Sequence, residues 1–242
     1  MDGITPKTLT VNEQHSKILA VNELTPKILI ATPCTELGYT DFWSDYMALH
    51  KVGDTRSGRI KNTLIHDARN TIAQKAIDGD YDRILWIDSD MRFNADLLER
   101  LNADLDQGME YVSALTFKRV YPTVPVIYDH LFPLSDAPGT YGVHIYKDYP
   151  RDQVFQIAAS GMGCVMTSVK LLKDVWDNFG PPFAYVANLG EDISFCYKVS
   201  ELGVPMWCDS RVKVGHIGTV VFSEKTYDEQ IITGQNEQSG GE

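Results

Sequence analysis

Short apolar runs alternate with apolar stripes of helical period along most of this chain. A short apolar run predicts a buried strand, whereas apolar residues that recur every three or four positions predict one face of a helix. The predicted strands cover residues 28–31, 84–90, 111–115, 156–159, 204–208 and 212–214. The predicted helices cover residues 41–50, 60–78, 94–108, 168–178 and 192–202. This order favours an α/β fold with a Rossmann-like mixed, mostly parallel sheet flanked by helices, in which the later strands add antiparallel members.

The pattern also predicts how two particular segments fold. In the helix over residues 60–78, four apolar residues at four-residue spacing predict one buried stripe: Ile60, Leu64, Ala68 and Ile72. Residues 118–152, by contrast, have no helical period and are rich in Pro, Gly and Tyr. That composition predicts hairpins or long loops over one face of the sheet.

Both ends of the chain are polar. Residues 1–26 are predicted to be a flexible arm, and residues 234–242, which are rich in Gly, Gln, Ser and Glu, are predicted to be a disordered tail. Residues 27–233 are then predicted to form a single domain, which a chain of 242 residues with 43% hydrophobic content can support.

Charge and cysteine spacing argue against several classes of protein. The formal net charge of -11 argues against a surface coated with basic residues for nucleic acid. No apolar stretch approaches the roughly 20 residues that cross a bilayer, and the N-terminus lacks the regions of a signal peptide, so we expect a cytoplasmic protein. The four cysteines have no Cys-x-x-Cys spacing, which favours ordinary thiols over disulfides or a zinc site.

Two aspartates stand at the end of the apolar run over residues 84–90. Asp88 and Asp90 are separated by Ser89, and strands of α/β proteins present their carboxyl ends to ligands above the sheet. Paired carboxylates favour hard cations such as Mg²⁺ or Mn²⁺, whose open positions accept phosphate oxygens. The motif indicates a metal-assisted diphosphate site, although acidic residues also mark strand ends that simply enter solvent.

Three later features bear on that choice, and each has a structural alternative. Gly161 and Gly163 follow a predicted strand, where missing side chains allow either the approach of a ligand or tight packing and a bulge. Glu191 and Asp192 stand at a predicted helix start, where carboxylates suit catalysis but also serve as caps favoured by the helix dipole. His216 follows the last predicted strand, a position that suits a metal ligand or a structural histidine.

Taken in order, these features resemble the core motifs of the GT-A glycosyltransferases. The matching motifs are the DxD at Asp88-Ser89-Asp90, the glycine loop at Gly161 and Gly163, the xED at Glu191-Asp192 and the C-terminal histidine at His216. The resemblance covers residues 27–216 and is greatest to the small, family 2-like members of bacterial and phage genomes, whose Ala-Arg-Asn helix is similar to residues 68–70. It implies the GT-A (nucleotide-diphospho-sugar transferase) fold, with residues 27–233 as the catalytic domain.

The resemblance implies a reaction and its partners. A sugar would pass from a nucleotide-diphosphate-sugar donor, a UDP- or GDP-sugar, to a hydroxyl acceptor in a metal-dependent reaction. The acceptor class stays open among a saccharide, a lipid-linked intermediate, a protein and a modified nucleic-acid base. The cofactor would be Mn²⁺ or Mg²⁺.

The resemblance also implies roles for individual residues. The metal ligands would be Asp88, Asp90 and His216, with Asp90 bound directly and Asp88 touching the ribose or reaching the ion through water. The nucleotide-sugar would be bound by Thr32, Pro33, Arg69, Asp88, Gly161 and Gly163. Asp192 would act as the general base toward the acceptor hydroxyl, and Glu191 would orient the site.

Other interpretations stay open at this level. A haloacid-dehalogenase-like phosphatase also has an apolar strand before Asp-x-Asp, but this chain has Met91-Arg92 in place of Gly-Thr and carries the motif on a later strand. A catalytically silent nucleotide-sugar-binding protein is a further alternative. Arg69 can instead make a surface salt bridge. A group of tyrosines has two interpretations: their rings stack on the acceptor, or they pack the loop onto the sheet. The group consists of Tyr121, Tyr128, Tyr141, Tyr146 and Tyr149.

Overall fold

Strands and helices alternate along the first half of the chain, as the hydrophobic pattern predicts. In the computed structural model, the described residues are 25–35, 38–218 and 221–239. The strands are β1 (Lys27–Cys34), β2 (Asp54–Lys61), β3 (Arg83–Ile87), β4 (Met91–Arg92), β5 (Tyr111–Leu115), β6 (Ile127–Pro133), β7 (Tyr141–Ile145), β8 (Val154–Ile157), β9 (Ala159–Ser160), β10 (Cys164–Ser168), β11 (Met206–Lys213), β12 (Gly215–Ile217) and β13 (Val221–Phe222). The helices are α1 (Thr40–Ala48), α2 (Ile65–Asp78), α3 (Leu97–Asp106), α4 (Val169–Phe179), α5 (Glu191–Glu201) and α6 (Glu224–Ser239).

The central sheet has seven strands in the order β2-β1-β3-β10-β5-β11-β8. β2, β1 and β3 are parallel, as are β5 and β11, whereas β10 and β8 run in the opposite direction. The prediction of a mixed, largely parallel α/β sheet is thereby confirmed. Ala31 of β1 is opposite Trp86 of β3, which brings Pro33 level with Asp88 at the shared carboxyl edge.

Both faces of this sheet are buried. Ile28 and Ile30 pack on one face with α1 and α3, whereas Leu29 and Ala31 pack on the other face with α2, α4 and α5. This division follows from the two-residue period of a strand. Burial on both faces explains why β1 and β3 are continuous apolar runs.

The predicted helix over residues 60–78 is wrong in its first part. Ile60 belongs to β2, and α2 begins only after Leu64, whose surface is 65% exposed. β2 is an edge strand beside β1, and most of its side chains are exposed, so its sequence contains no apolar run. In the second part, Ala68 and Ile72 are buried as predicted.

The end of the chain also differs from the prediction. β11 is one strand where two were expected, because the residues between the two apolar runs continue the strand through an irregularity in its pairing with β5. Asp209 is buried there, and its carboxylate accepts hydrogen bonds from the backbone and side chain of Arg211. α6 extends to Ser239 and so includes the first residues of the predicted disordered tail, whose Gln and Glu are compatible with a helix. The remainder of that tail and residues 1–24 of the predicted arm lie outside the described residues.

The irregular segment contains a hairpin, as predicted. β6 and β7 are antiparallel, and β6 also pairs with β9, where Ile127 is opposite Ser160. The base of the hairpin is therefore joined to the residue that precedes Gly161.

Within the described ranges, none of the helices combines the length and the apolar character that a membrane span requires.

Candidate functional site

A groove and a smaller cavity meet at the carboxyl ends of β1 and β3. The groove has a volume of about 260 Å³, and its lining includes Pro33, Cys34, Ile60, Ile65, Asp88 and Asp90. The cavity has a volume of about 190 Å³, and its lining includes Arg69, Gly161, Gly163, Glu191, Asp192 and His216. Ile65 and Asp88 line both spaces, so Asp88 stands at their boundary. A larger cavity of about 490 Å³ lies between the hairpin and α5; its lining includes Tyr141, one of the tyrosines considered for acceptor stacking, but none of the residues predicted to bind the metal or the nucleotide-sugar or to act in catalysis.

Arg69 is the buried centre of this site. It projects from α2, is 3% exposed, and its Nη2 atom donates to both carboxylate oxygens of Asp88 at 2.9 and 3.1 Å. Its Nη1 atom donates to Glu191 Oε1 at the start of α5. Burial raises the pKa of Asp88, and the guanidinium of Arg69 limits that rise. The alternative of an exposed surface salt bridge at Arg69 is therefore wrong.

Asp90 and His216 face each other from segments far apart in the chain. His216 Nδ1 lies 2.9 Å from the carbonyl oxygen of Phe117, and Nε2 lies 3.3 Å from Asp90 Oδ2. Because a carbonyl only accepts hydrogen bonds, Nδ1 carries the donated proton. Arg119 Nη1 lies 2.9 Å from the same Asp90 oxygen. Burial alone would raise the pKa of Asp90, but His216 and Arg119 together hold it below its ordinary value.

A small sheet fixes this pair. β12 is antiparallel to β4, with His216 opposite Met91. The backbone N–H of Ile217 donates to the carbonyl of Asp90 at 2.7 Å. The turn after β3 therefore holds Asp90 against the strand that carries His216, an arrangement that the isolated motifs do not reveal.

Glu191 and Asp192 form the first turn of α5. Gly190 occupies the N-cap position. The alternative role of the two carboxylates as helix caps is confirmed in part, because Asp192 Oδ1 accepts a hydrogen bond from the N–H of Ile193 at 2.8 Å. Burial, followed by the charge of Glu191, raises the pKa of Asp192. Asp192 lines the cavity beside Gly161, which leaves its carboxylate adjacent to open space.

The two glycines of the loop fill tight positions. A Cβ on Gly161 would lie 2.7 Å from Val126 Cγ1 and 3.6 Å from Asp192 Oδ2. A Cβ on Gly163 would lie 2.6 Å from Met91 Cε. The structure thus gives both glycines a packing role, and both also line the cavity.

The remaining predicted residues lie at the same edge of the sheet. Thr32 is buried at the end of β1, and its Oγ1 has no hydrogen-bond partner among the described residues. Pro33 lines the groove. The ligand atoms of the predicted set, Asp88, Asp90 and His216, are less closely grouped than those of a second cluster. Among the described residues, the three-residue His, Cys, Asp or Glu group with ligand atoms within 4.8 Å of one another is Asp129, His130 and His144.

Sequence reasoning missed the contacts that organise the site. The link from Arg69 to Glu191 spans 122 residues, and the link from His216 to the Phe117 carbonyl spans 99. Local spacing carries no signal for either contact. The pairing of Arg119 with Asp90 was equally hidden, since a basic residue within an irregular segment indicates only an affinity for anions.

The fold defines a mixed α/β protein with a largely parallel, Rossmann-like central sheet. Among solved structures, it is similar to the crystal structure of A197 from STIV, with a TM-score of 0.50 and 14% sequence identity over 79% of this chain and 86% of that chain. At this identity the similarity shows a shared fold. No family model matches the chain, and no curated protein matches it.

Proposed function

We propose that this protein is a glycosyltransferase that moves a sugar from a nucleotide-diphosphate-sugar donor, a UDP- or GDP-sugar, to an acceptor hydroxyl. The observation that carries the proposal is the 3.3 Å approach of His216 Nε2 to Asp90 Oδ2 at the end of the DxD strand. The Rossmann-like fold, which is shared with A197 from STIV, is compatible with this reaction. The groove beside Pro33 is the proposed donor site, and the adjoining cavity is the proposed site of transfer.

Asp90 and His216 fit a divalent cation. The hydrogen bond from Nδ1 to Phe117 directs Nε2 toward Asp90, and outer partners of this kind orient metal-binding imidazoles. The 3.3 Å between the two ligand atoms is close to the roughly 3 Å between neighbouring ligands of an octahedral ion with bonds of about 2.1 Å. Asp88 is less available as a direct metal ligand, because Arg69 engages both of its oxygens.

The proposed transfer assigns separate tasks to the residues of the site. A bound Mn²⁺ or Mg²⁺ would offset the negative charge that develops on the leaving nucleoside diphosphate. Asp192 accepts the proton of the acceptor hydroxyl as its oxygen bonds to the anomeric carbon and the bond to the diphosphate breaks. The raised pKa of Asp192 makes it a stronger base than an exposed aspartate. Glu191, held by Arg69, positions the start of α5.

A thermal-shift screen of UDP- and GDP-sugars, with and without Mn²⁺, tests the donor and the metal together. A ligand that binds the folded state raises its melting temperature by mass action. We expect one donor to raise the melting temperature only with Mn²⁺, and we expect Asp90→Asn and His216→Gln to abolish that rise. Asp177→Asn, which removes an exposed carboxylate of α4, is the matched control.

Transfer or hydrolysis of the same donor then separates the alternatives. Donor binding without transfer to a panel of saccharide, lipid-linked and nucleic-acid acceptors, and without hydrolysis, would indicate a binding protein. Release of phosphate from a phosphomonoester, lost in Asp88→Asn, would indicate a phosphatase. The two contacts of Arg69 with Asp88 argue against a free nucleophile there.

A further inference from the structure

The β6–β7 hairpin carries a second group of potential metal ligands, on residues that the proposed transfer does not use. Asp129 Oδ1 lies 2.7 Å from His144 Nδ1 and 3.1 Å from His130 Nδ1. The two imidazoles are largely exposed, at 74% for His130 and 68% for His144, whereas Asp129 is 25% exposed. A single carboxylate oxygen therefore lies between two imidazole nitrogens at the protein surface.

The backbone explains how three such side chains meet. His130 and His144 are cross-strand partners, so their side chains stand on one face of the hairpin. Regular alternation would turn the neighbouring Asp129 to the opposite face. The register shifts between Tyr128, opposite Ile145, and His130, opposite His144, which gives β6 one extra residue at this point. Such a bulge re-aims a side chain, and here it brings Asp129 onto the face of the two histidines.

We propose that Asp129, His130 and His144 form a binding site for a borderline divalent transition ion, with Zn²⁺ as its probe. Two imidazoles and one carboxylate are a zinc ligand set, which leaves a fourth position for solvent. Tetrahedral ligands with bonds of about 2.1 Å lie roughly 3.4 Å apart. The observed separations of 2.7 and 3.1 Å from Asp129 Oδ1 need only small side-chain shifts to reach that geometry.

Hydrogen bonding alone is a weaker explanation for the cluster. A carboxylate paired with a single exposed histidine occurs elsewhere in this protein, where His50 Nδ1 lies 2.9 Å from Glu99 Oε2. The hairpin instead directs two imidazoles at one oxygen, and exposed pairs of this kind contribute little stability. The ligand chemistry also differs from that of the Asp90 and His216 pair, because a second imidazole favours Zn²⁺ over Mg²⁺ or Mn²⁺.

The site has a structural consequence. The ion would join β6 to β7 near the base of the hairpin, where Tyr128 pairs with Ala159 of β9. Binding to the folded hairpin would therefore stabilise the segment that leads to Gly161. Neither this effect nor the site itself depends on the proposed transferase activity.

The test is a titration of the untagged full chain with ZnCl₂ in a non-coordinating buffer. Calorimetry and competition with a chromophoric chelator measure the binding. We expect one Zn²⁺ to be lost, or its affinity to fall at least about tenfold, in Asp129→Asn, His130→Gln and His144→Gln, because loss of even an outer partner costs about that much. His50→Gln is the matched control, since it removes an imidazole beside a single carboxylate. His216→Gln reports any Zn²⁺ that binds at the proposed donor-metal site.

The outcomes are distinct. Loss of one Zn²⁺ in the three hairpin variants, with full binding in His50→Gln, supports the site whatever happens in His216→Gln. Unchanged stoichiometry and affinity in both Asp129→Asn and His144→Gln would overturn it, as would an equal loss in His50→Gln. Because the substituted histidines are exposed, far-ultraviolet circular dichroism is expected to show wild-type folding in each of their variants.

Discussion

The Nη2 atom of Arg69 lies within 3.1 Å of both carboxylate oxygens of Asp88, deep beneath the DxD turn. The other terminal nitrogen of the same guanidinium contacts Glu191. One buried cation thus joins α2, the end of β3 and the start of α5. Residues that the sequence places in three separate motifs share one electrostatic centre.

Replacement of Arg69 by alanine is expected to destabilise the fold by about 3 kcal/mol, because it leaves two partly buried carboxylates without their cation. Urea denaturation measures this loss. Arg69→Lys keeps the charge but loses the planar fork, so we expect a smaller loss. Arg100→Ala, which breaks an exposed pair with Asp96, is the control and is expected to change stability by less than about 0.5 kcal/mol. Equal losses in Arg69→Ala and Arg100→Ala would contradict this account.

The elements that the sequence predicted well are those whose burial is uniform. β1 and β3 are buried on both faces, so their apolar runs are unbroken, and α3 buries the whole of its leucine stripe. β2 was missed for the opposite reason, since an edge strand with mostly exposed side chains has no apolar signature. β11 was divided because Asp209 is a buried polar residue, satisfied by Arg211 two residues later.

The candidate site was predictable in its parts and not in its connections. Asp90 and His216 were both singled out by their positions at strand ends, yet their mutual contact depends on β12 pairing with β4. Arg69 was noticed only through a resemblance, and its burial between two acidic partners follows from tertiary packing. The cluster of Asp129 and the two hairpin histidines was not predicted, because it depends on a β-bulge that no local sequence pattern indicates.

Alanine at Gly161 is expected to cost more than alanine at Gly163. The new methyl group at position 161 would meet Val126, whose branched side chain has little rotamer freedom, whereas the one at position 163 would meet the flexible end of Met91. Overpacking of this kind costs about 1–3 kcal/mol, and we place Gly161→Ala in that range. Thermal unfolding of both variants measures the difference. The double variant Gly161→Ala/Val126→Ala serves as the check, since relief of the clash is expected to recover part of the loss; no recovery would point to another cause.

The buried pair of Asp104 and Asp209 predicts a pH-dependent gain of stability in Asp104→Asn. Burial and the neighbouring Asp209 raise the pKa of Asp104 to about 6 from 3.8. The folded state therefore binds more protons than the unfolded state between these values, so this group lowers stability as the pH rises from about 4 to about 6. An asparagine has no such proton to lose.

We accordingly expect the melting temperature of Asp104→Asn, relative to wild type, to increase between pH 4 and pH 7. Scanning calorimetry across this range measures the difference. Asp106→Asn, which removes a carboxylate from the exposed side of the same helix, is the control. An advantage of Asp104→Asn that shrinks as the pH rises would show that the sign is wrong.

Asp192→Asn is expected to lower kcat for sugar transfer by about 10²–10⁴-fold, because an amide cannot accept the proton of the acceptor hydroxyl. The Mn²⁺-dependent thermal shift with the donor is expected to persist, since Asp192 lines the cavity and not the groove. Steady-state kinetics and the thermal shift are measured on the same preparation. Asp174→Asn, an exposed carboxylate of α4, is the control. Wild-type turnover in Asp192→Asn would remove this residue from the proposed reaction.

The groove is lined by residues between Pro33 and Asp90, whereas most of the cavity lining comes from residues between Met91 and His216. Ile65, Arg69 and Asp88 are the members of the cavity lining that precede Met91 in the chain. Substitutions from Met91 onward can therefore alter what enters the cavity while the groove keeps its shape. A chain built in this way can diversify its choice of one reactant independently of the other.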